Sequence, residues 1–253
     1  LPAWEAALLG LMISEGQCKT PGYSPAFTNA DPVLVELARA SAREGLGVET
    51  THDGHMGYRL VNHRGQGGTP ERNRVTTWLE SHGAAVKSAE KSVPQAVFTA
   101  PADAVRTFLR ALFSGDGSIY GCGDAVFFEY ASMSRRLVED VRHLLLRFGI
   151  VSLLRSKPTQ YGTTAHRVQI TDRDTVLRLA EEIGFWAGSE KQIRVETEVL
   201  PGLRLQGSKK SNFDTLPAEA WGLARAAVAR SGFSVRGAGL SRIDSRQSMP
   251  HLY

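Results

Sequence analysis

The chain repeats itself at an offset of 101 residues. When WEAALLGLMISEGQ, from Trp4, is set beside VRTFLRALFSGDGS, from Val105, Leu8 meets Leu109, Gly10 meets Ala111, Leu11 meets Leu112, Glu15 meets Asp116 and Gly16 meets Gly117. Further on, LVELARASAREGLGV from Leu34 lies against LVEDVRHLLLRFGI from Leu137, and TTWLESHG near Trp78 against TVLRLAEEIG near Leu177. A duplicated body restricts the fold more than any single element does, because both copies must follow one element order and meet at equivalent surfaces.

Periodicity and punctuation give that order. An apolar helix ends in an acidic residue and a glycine, at Glu15-Gly16 and again at Asp116-Gly117, where glycine suits a left-handed C-terminal turn. A strand pair, a second helix, another strand pair and a third helix follow. The second helix of the first copy starts at Asp31-Pro32, a capping Asp followed by proline at the first helical position. Its counterpart starts near Ser134, with Leu137, Val141, Leu144 and Leu145 at helical spacing. In HRVQIT, Arg167, Gln169 and Thr171 face one way while Val168 and Ile170 face the other, the alternation of a half-buried strand. HRGQGGT, from His63, reads as a loop, and Gly83 to Pro101 as the linker. The expected fold is therefore α+β, two αββαββα repeats related by a pseudo-two-fold axis, over 1–90 and 91–200, with an extension over 201–253.

Composition narrows the class. A chain of 253 residues with 42% hydrophobic and 22% charged residues can bury proper cores and is neither disordered nor a disulfide-stapled miniature. No apolar run approaches the roughly 20 residues of a membrane span. LPAWEAALLGLM carries no basic leader and has Glu5 before its apolar stretch, so a secretory signal is not expected and the chain reads as intracellular and cytoplasmic. Cys18 and Cys122, with neither CxxC spacing nor paired histidines, read as reduced thiols. The formal net charge is +4, and it is unevenly placed. From Pro201 onward there are eight bases and three acids, a net +5, leaving 22 bases against 23 acids before it, a net −1. That extension contains a helix candidate, LPAEAWGLARAAVARSG, and an Arg- and Ser-rich end. An excess of this kind suits an anionic partner.

The two helix ends carry chemistry. Small residues at Gly10 and Ala111 allow two helices to pack closely at a pseudo-two-fold axis, bringing Glu15 and Asp116 together at the bottom. Two carboxylates held close repel each other and take up hard divalent cations through oxygen. Beside a phosphodiester, such metal-bridged carboxylates activate water and stabilise the leaving oxygen. Either motif alone would be an ordinary capped core helix; the matched pair at one offset is what points to a site.

LLGLMISEG and LRALFSGDG both resemble the LAGLIDADG motif of homing endonucleases, and their separation is similar to that of the two-motif, single-chain members, especially the endonuclease domains of inteins. EKSVP, from Glu90, resembles the Lys-x-x-Pro block before the second motif, and LVEDVRHLLLRFGI the helix block after it. The resemblance covers about residues 1–200. Glu15 stands where the first motif has Asp, and Ile13 and Ser114 where each motif has its other Asp; Glu still offers a carboxylate.

The resemblance implies a monomeric, metal-dependent, site-specific endonuclease that hydrolyses both strands of a long asymmetric DNA duplex across the minor groove, leaving short 3′ overhangs. It implies access to chromosomal DNA, and Mg²⁺ as cofactor with Mn²⁺ or Ca²⁺ standing in for binding. Glu15, Asp116 and the backbone at Gly16 and Gly117 would form the metal set, and Lys91 and Lys191, 100 residues apart, would polarise water or steady phosphate charge. The sheets would form a saddle over DNA. Arg59, Asn62 and His63 in the first repeat and Arg155, Lys157, Gln160, Tyr161, Arg167 and Gln169 in the second would read bases and phosphates. Lys209, Lys210, Arg236, Arg242 and Arg246 would lengthen the footprint. Splicing is not expected: the chain starts Leu1-Pro2 and ends Leu252-Tyr253, without the terminal nucleophile and His-Asn of an intein. The alternative is a DNA-binding regulator or RNA-splicing cofactor that kept the fold and lost cleavage.

Overall fold

Helix caps and strand alternation divide the chain much as its punctuation suggests. In a computed structural model, residues 1–18, 24–54, 56–62, 72–122, 125–160, 162–205 and 220–232 are described. The first repeat runs α1 (Ala3–Ser14), β1 (Gly16–Gln17), β2 (Ala26–Thr28), α2 (Pro32–Leu46), β3 (Val48–His52), β4 (Gly57–Asn62) and α3 (Arg74–Ser81). A linker with a 3₁₀ turn at Ser88–Glu90 and the short α4 (Gln95–Phe98) leads into the second. That repeat runs α5 (Ala102–Asp116), β5 (Gly117–Cys122), β6 (Ala125–Ser132), α6 (Arg135–Leu146), β7 (Leu153–Pro158), β8 (Thr164–Ile170) and α7 (Arg173–Glu182). After it come α8 (Glu190–Arg194), a π turn at Val195–Val199 and α9 (Leu200–Leu205). The order αββαββα is thus written twice in an α+β fold.

Each repeat forms one antiparallel four-stranded sheet, ordered β1-β2-β4-β3 in the first and β5-β6-β8-β7 in the second. Phe27 and Leu60 in the first sheet and Phe128, Tyr130, Val168 and Ile170 in the second are buried on the face that meets the helices. Register then fixes the open face. Ala26 pairs with Arg59, while Arg155 pairs with Arg167 and Ala131 with Arg167, so these positions point away from the core.

The helices α1 and α5 share the centre. α1 is buried from Ala6 to Ile13, and a helix apolar on every side must be covered on every side. A Cβ on Gly10 would lie 2.5 Å from the Phe108 carbonyl oxygen and 2.8 Å from the Ala111 methyl, so the two backbones touch there. The third helix of each repeat is tied to the central helix of the same repeat. Trp78 Nε1 donates to Glu5 Oε1 at 2.9 Å and His82 Nε2 lies 2.9 Å from the same oxygen, whereas Arg110 Nε donates to the Ile183 carbonyl at 2.7 Å.

The glycines that close the two motifs differ from expectation. Gly117 is extended, with φ −83° and ψ 157°, and Gly16 is not among the residues of positive φ. Their constraint is space, since a Cβ would sit 2.7 Å from the Met12 Cα at Gly16 and 2.7 Å from the Phe113 carbonyl oxygen at Gly117. The chain turns back against its own helix too tightly for a side chain.

The chain separates into two compact units, Leu1–Gln206 and Gly207–Tyr253. Leu200 and Leu203 are buried in the core of the first, so the residues directly after the second repeat pack with it. The second unit contains α10 (Ala220–Arg230), which is followed by a turn with Gly232 at φ +77°. His63, Tyr161, Lys209, Lys210, Arg236, Arg242 and Arg246 lie outside the described residues. Among the described residues, no helix is long and apolar enough to cross a membrane, and Cys18 is a free thiol.

Gly10→Val should destabilise the protein by about 1–3 kcal/mol or more, the usual cost of forcing extra methyl groups into a filled interface. Urea denaturation measures it; an unchanged midpoint would mean that α1 and α5 can separate without loss.

Candidate active site

The carboxylates meet because the helix ends meet. A Cβ on Gly115 would lie 2.6 Å from the Ser14 Cβ and 3.0 Å from the Glu15 Cγ, so the last turn of α5 lies directly on the last turn of α1. Glu15 caps α1, its amide bonded to the Leu11 carbonyl at 2.8 Å. Asp116 is the last residue of α5. The Glu15 carboxyl is raised above the ordinary range, first by burial and then by the charge of Asp116; Lys191, Asn29 and Lys91 oppose the rise. Asp116 is raised by burial against the pull of Lys91 and Lys191. Its side chain keeps contact with solvent, which tempers the effect without changing its sign.

Two lysines close over the same helix ends. Lys91, 8% exposed, donates from Nζ to the Ile13 carbonyl at 2.6 Å and to the Gly16 carbonyl at 3.2 Å. Lys191 donates to the Gly115 carbonyl and, at 2.8 Å, to the Gly117 carbonyl. Burial lowers both lysines, while Asp116 and Glu15 pull each back up. The four groups expected from the repeat, two carboxylates and two ammoniums, therefore lie within one electrostatic neighbourhood. The Gly16 and Gly117 carbonyls serve as acceptors for the lysines, so the freest hard-oxygen donors are Glu15 and Asp116. Among the described residues no group of three or more His, Cys, Asp or Glu gathers here or elsewhere.

Four residues around this quartet make contacts that sequence reasoning missed. Asn29 Nδ2 donates to Glu15 Oε1 at 3.3 Å, and Asn29 Oδ1 accepts from the Asp31 amide at 2.8 Å. Asp31 was legible as a helix cap, and its contact with the Glu190 amide, 159 residues away, was not. Ser134 likewise reads as a cap and also donates to the Lys91 carbonyl at 2.5 Å. Tyr130 is fully buried with its hydroxyl unpartnered among the described residues, and it feels the charge of Asp116. Its counterpart by register is Phe27, since Gly16 pairs with Phe27 and Gly117 with Tyr130. Ser114, which stands at the motif's other acidic position, accepts from the Trp186 amide at 2.8 Å.

The remaining expected residues fall on two faces. Arg59 is exposed on the open face of the first sheet and paired to Asp53 at 3.1 Å. Asn62 shares the face of Leu60 instead, because it lies two residues on; its amide spans the Arg72 carbonyl at 3.0 Å and the Arg74 amide at 2.9 Å, securing the start of α3. In the second sheet Arg155 and Lys157 are exposed, and Arg167 and Gln169 half-buried, on one open face; Gln160 is exposed in the β7–β8 turn. Arg167 is held by Glu129 at 3.0 Å. The same face carries Tyr120 stacked on Phe127, with centroids 5.6 Å apart, a pair that alternation alone does not pick out.

Residues 103–184 match the family model of the LAGLIDADG-like domain. The chain is 31% identical over 242 residues to the replicative DNA helicase DnaB of Rhodothermus marinus, covering 92% of this chain and 25% of that protein. It is 31% identical over 214 residues to a DNA gyrase subunit of Mycobacterium gordonae, covering 79% and 35%. The chain thus spans about a quarter to a third of the length of these curated relatives. Full-length DUF199/WhiA from Thermatoga maritima shares the fold, with a TM-score of 0.51 and 14% identity over 91% of this chain and 68% of that one. Mesophilic variants of the homing endonuclease I-DmoI give a TM-score of 0.49 at 15% identity, over 72% and 95%.

Because burial holds the Glu15 carboxyl above its unfolded value, the stability it contributes is present at acid pH and lost as pH rises through its folded value. Glu15→Gln, which keeps the acceptor for Asn29, should therefore raise the urea midpoint at neutral pH, and the gain should vanish below about pH 4, the ordinary carboxylate value. A midpoint that falls at neutral pH would reverse the assigned direction.

Proposed function

We propose that the chain, whose second repeat matches the LAGLIDADG-like domain over residues 103–184, is a site-specific double-strand DNA endonuclease of the intein type. The observation that carries this reading is the meeting of Glu15 and Asp116 at adjoining helix ends, each helix end gripped by its own lysine, Lys91 buried and Lys191 half-buried. A divalent cation such as Mg²⁺ fits these hard oxygen donors: Glu15 and Asp116 would hold it, and when bound it would supply Lewis-acid polarisation of a phosphodiester and of its attacking water. The chain's own part is positional and electrostatic. Lys91 and Lys191 put fixed positive charge beside the carboxylates, where charge builds on the phosphate as the bond breaks. Burial also lowers the proton affinity of both, the direction that eases loss of a proton from Nζ.

The open sheet faces supply the DNA contacts. Arg155, Lys157, Arg167 and Gln169 with Arg59 offer donors to base edges and phosphates, and the Tyr120–Phe127 pair offers apolar surface beside them. The intein context is supported by the relatives. One stretch of about this length matches a quarter of a helicase and a third of a gyrase polypeptide, and a piece shared by two such different hosts is what a mobile insert leaves behind.

A supercoiled plasmid carrying a duplex selected for binding from a randomised pool tests the activity. In Mg²⁺ the full chain should nick and then linearise it. Glu15→Gln or Asp116→Asn should abolish linearisation with affinity within a few-fold, and Lys91→Met should slow single-turnover cleavage by roughly 10²-fold. Tight binding without cleavage in Mg²⁺ or Mn²⁺ would overturn the enzyme in favour of a DNA-binding regulator.

The second unit should add electrostatic affinity, since seven of the chain's 30 bases and three of its 26 acids lie beyond Gln206. Deleting Gly207–Tyr253, which spares the buried Leu200 and Leu203, should flatten the slope of log K against log salt by about 3 units if three or four bases touch phosphate. It should also shorten the footprint on one side only. Equal slopes would leave binding to the sheet faces.

A further inference from the structure

Both site lysines are held from outside the repeat whose helix end they grip. Lys191 grips the second motif, at Gly115 and Gly117, yet the amide just before it, Glu190 N, donates to Asp31 Oδ2 at 2.8 Å on the first repeat. Lys91 grips the first motif, at Ile13 and Gly16, yet its own carbonyl accepts from Ser134 Oγ at 2.5 Å on the second repeat. Two residues on, the Val93 amide donates to Asp140 Oδ2 at 3.1 Å, so α6 secures both sides of this short extended segment.

Asp31 and Ser134 are equivalent positions, 103 apart, the offset that also separates Leu34 from Leu137. Each caps the second helix of its repeat: Asp31 Oδ1 accepts from the Val33 amide at 2.9 Å, and Ser134 Oγ accepts from the Leu137 amide at 3.2 Å. A cap needs only one acceptor. In both repeats the same side chain makes a second bond, and in both that bond goes to the backbone carrying the lysine of the opposite motif. Asn29 extends the path, joining the Asp31 amide to Glu15, so one chain of hydrogen bonds runs from the first carboxylate to the backbone amide beside Lys191.

We propose that Asp31 and Ser134 are positioning residues, each fixing the backbone beneath one active-site lysine so that the cation at one motif is set by the opposite repeat. The proposal rests on the nuclease reading for its kinetic consequence and on hydrogen bonding alone for its structural one. Misplacing a charged group by about 1 Å can cost on the order of 10²-fold in rate, which is what loss of either brace threatens.

Two substitutions break the Asp31–Glu190 bond from opposite sides without removing a helix cap. Asp31→Asn keeps an oxygen for the Val33 amide but presents an amide group to Glu190 N. Glu190→Pro removes the donor at the first position of α8, where proline is well accommodated. In single-turnover cleavage of the selected plasmid by the full chain, each should be roughly 10- to 100-fold slower than the native protein, with DNA affinity and urea midpoint little changed. In a Lys191→Met background, Asp31→Asn should add no further loss, because the group it positions is gone. Ser134→Gly, which costs a cap only a few tenths of a kcal/mol, should behave in the same way toward Lys91→Met. Native rates for both Asp31→Asn and Glu190→Pro, or full additivity of Asp31→Asn with Lys191→Met, would overturn the proposal. If the native chain does not cut at all, the nuclease reading fails, and the brace is judged by hydrogen exchange at the Glu190 amide. That exchange should be about 10-fold faster in Asp31→Asn, and unchanged exchange would overturn the brace as well.

Discussion

The close approach of two helix backbones at Gly10, Ala111 and Gly115 is the constraint on which the site depends. At that crossing a side chain on either glycine would collide with the facing helix. Only because the helices meet without intervening side chains do their last residues, Glu15 and Asp116, come within reach of one another. Bringing them together is unfavourable: each carboxyl is pushed toward its neutral form and each lysine toward its own. A fully buried charge without compensation costs several kcal/mol, and one that keeps contact with solvent, as Asp116 does, costs less. Here the two ammoniums offset the two carboxylates, and fully buried side chains such as Leu8, Leu11, Phe108 and Leu112, each contributing about 1.5–3 kcal/mol, hold the crossing against what remains.

Much of this was legible because it is written twice. Apolar spacing with an acid-Gly ending located α1 and α5, and Asp31-Pro32 and Ser134 located the second helices. The offset of 100 singled out Lys91 and Lys191 from the other basic residues. What the residues could not disclose was the reason for the terminal glycines. Left-handed turns and close backbone approach both favour glycine, and only the extended φ of Gly117 separates them. Asn62 was misplaced for a related reason: polarity suggests an open face, but strand parity puts it beside Leu60, where it secures α3. Asn29, Tyr130 and the second bonds of Asp31 and Ser134 depend on packing between segments far apart in sequence, and no local pattern encodes such contacts.

The repeats are equivalent in backbone and unequal in side chains. Phe27 and Tyr130 occupy matched register positions, yet only one has a hydroxyl near a motif carboxylate. Glu15 accepts a hydrogen bond from Asn29. Asp31 brings a charge to its brace, and Lys191 feels it, whereas Ser134 brings a neutral hydroxyl. The first sheet begins with the two-residue β1, while its counterpart β5 spans six residues. Such divergence is open to a single chain, in which the two halves are encoded separately, and is closed to a symmetric dimer of identical protomers.

Unequal halves suit an unequal partner. A protein that grips a duplex symmetrically reads a palindrome, because its two-fold axis imposes the same contacts on both half-sites. With Arg155, Lys157, Arg167 and Gln169 on one open sheet face and Arg59 on the other, the two halves present different donors, which on the proposed function would meet unequal half-sites. On the proposed function the centre cannot diverge as freely, since both strands of DNA have the same backbone chemistry and each motif would present a carboxylate and a lysine to it. The crossed bracing reconciles these demands. Each lysine is seated by the opposite repeat, so neither half completes its own charge cluster alone, and the sheets can change their recognition residues while the two helix ends and the two caps keep the centre in register.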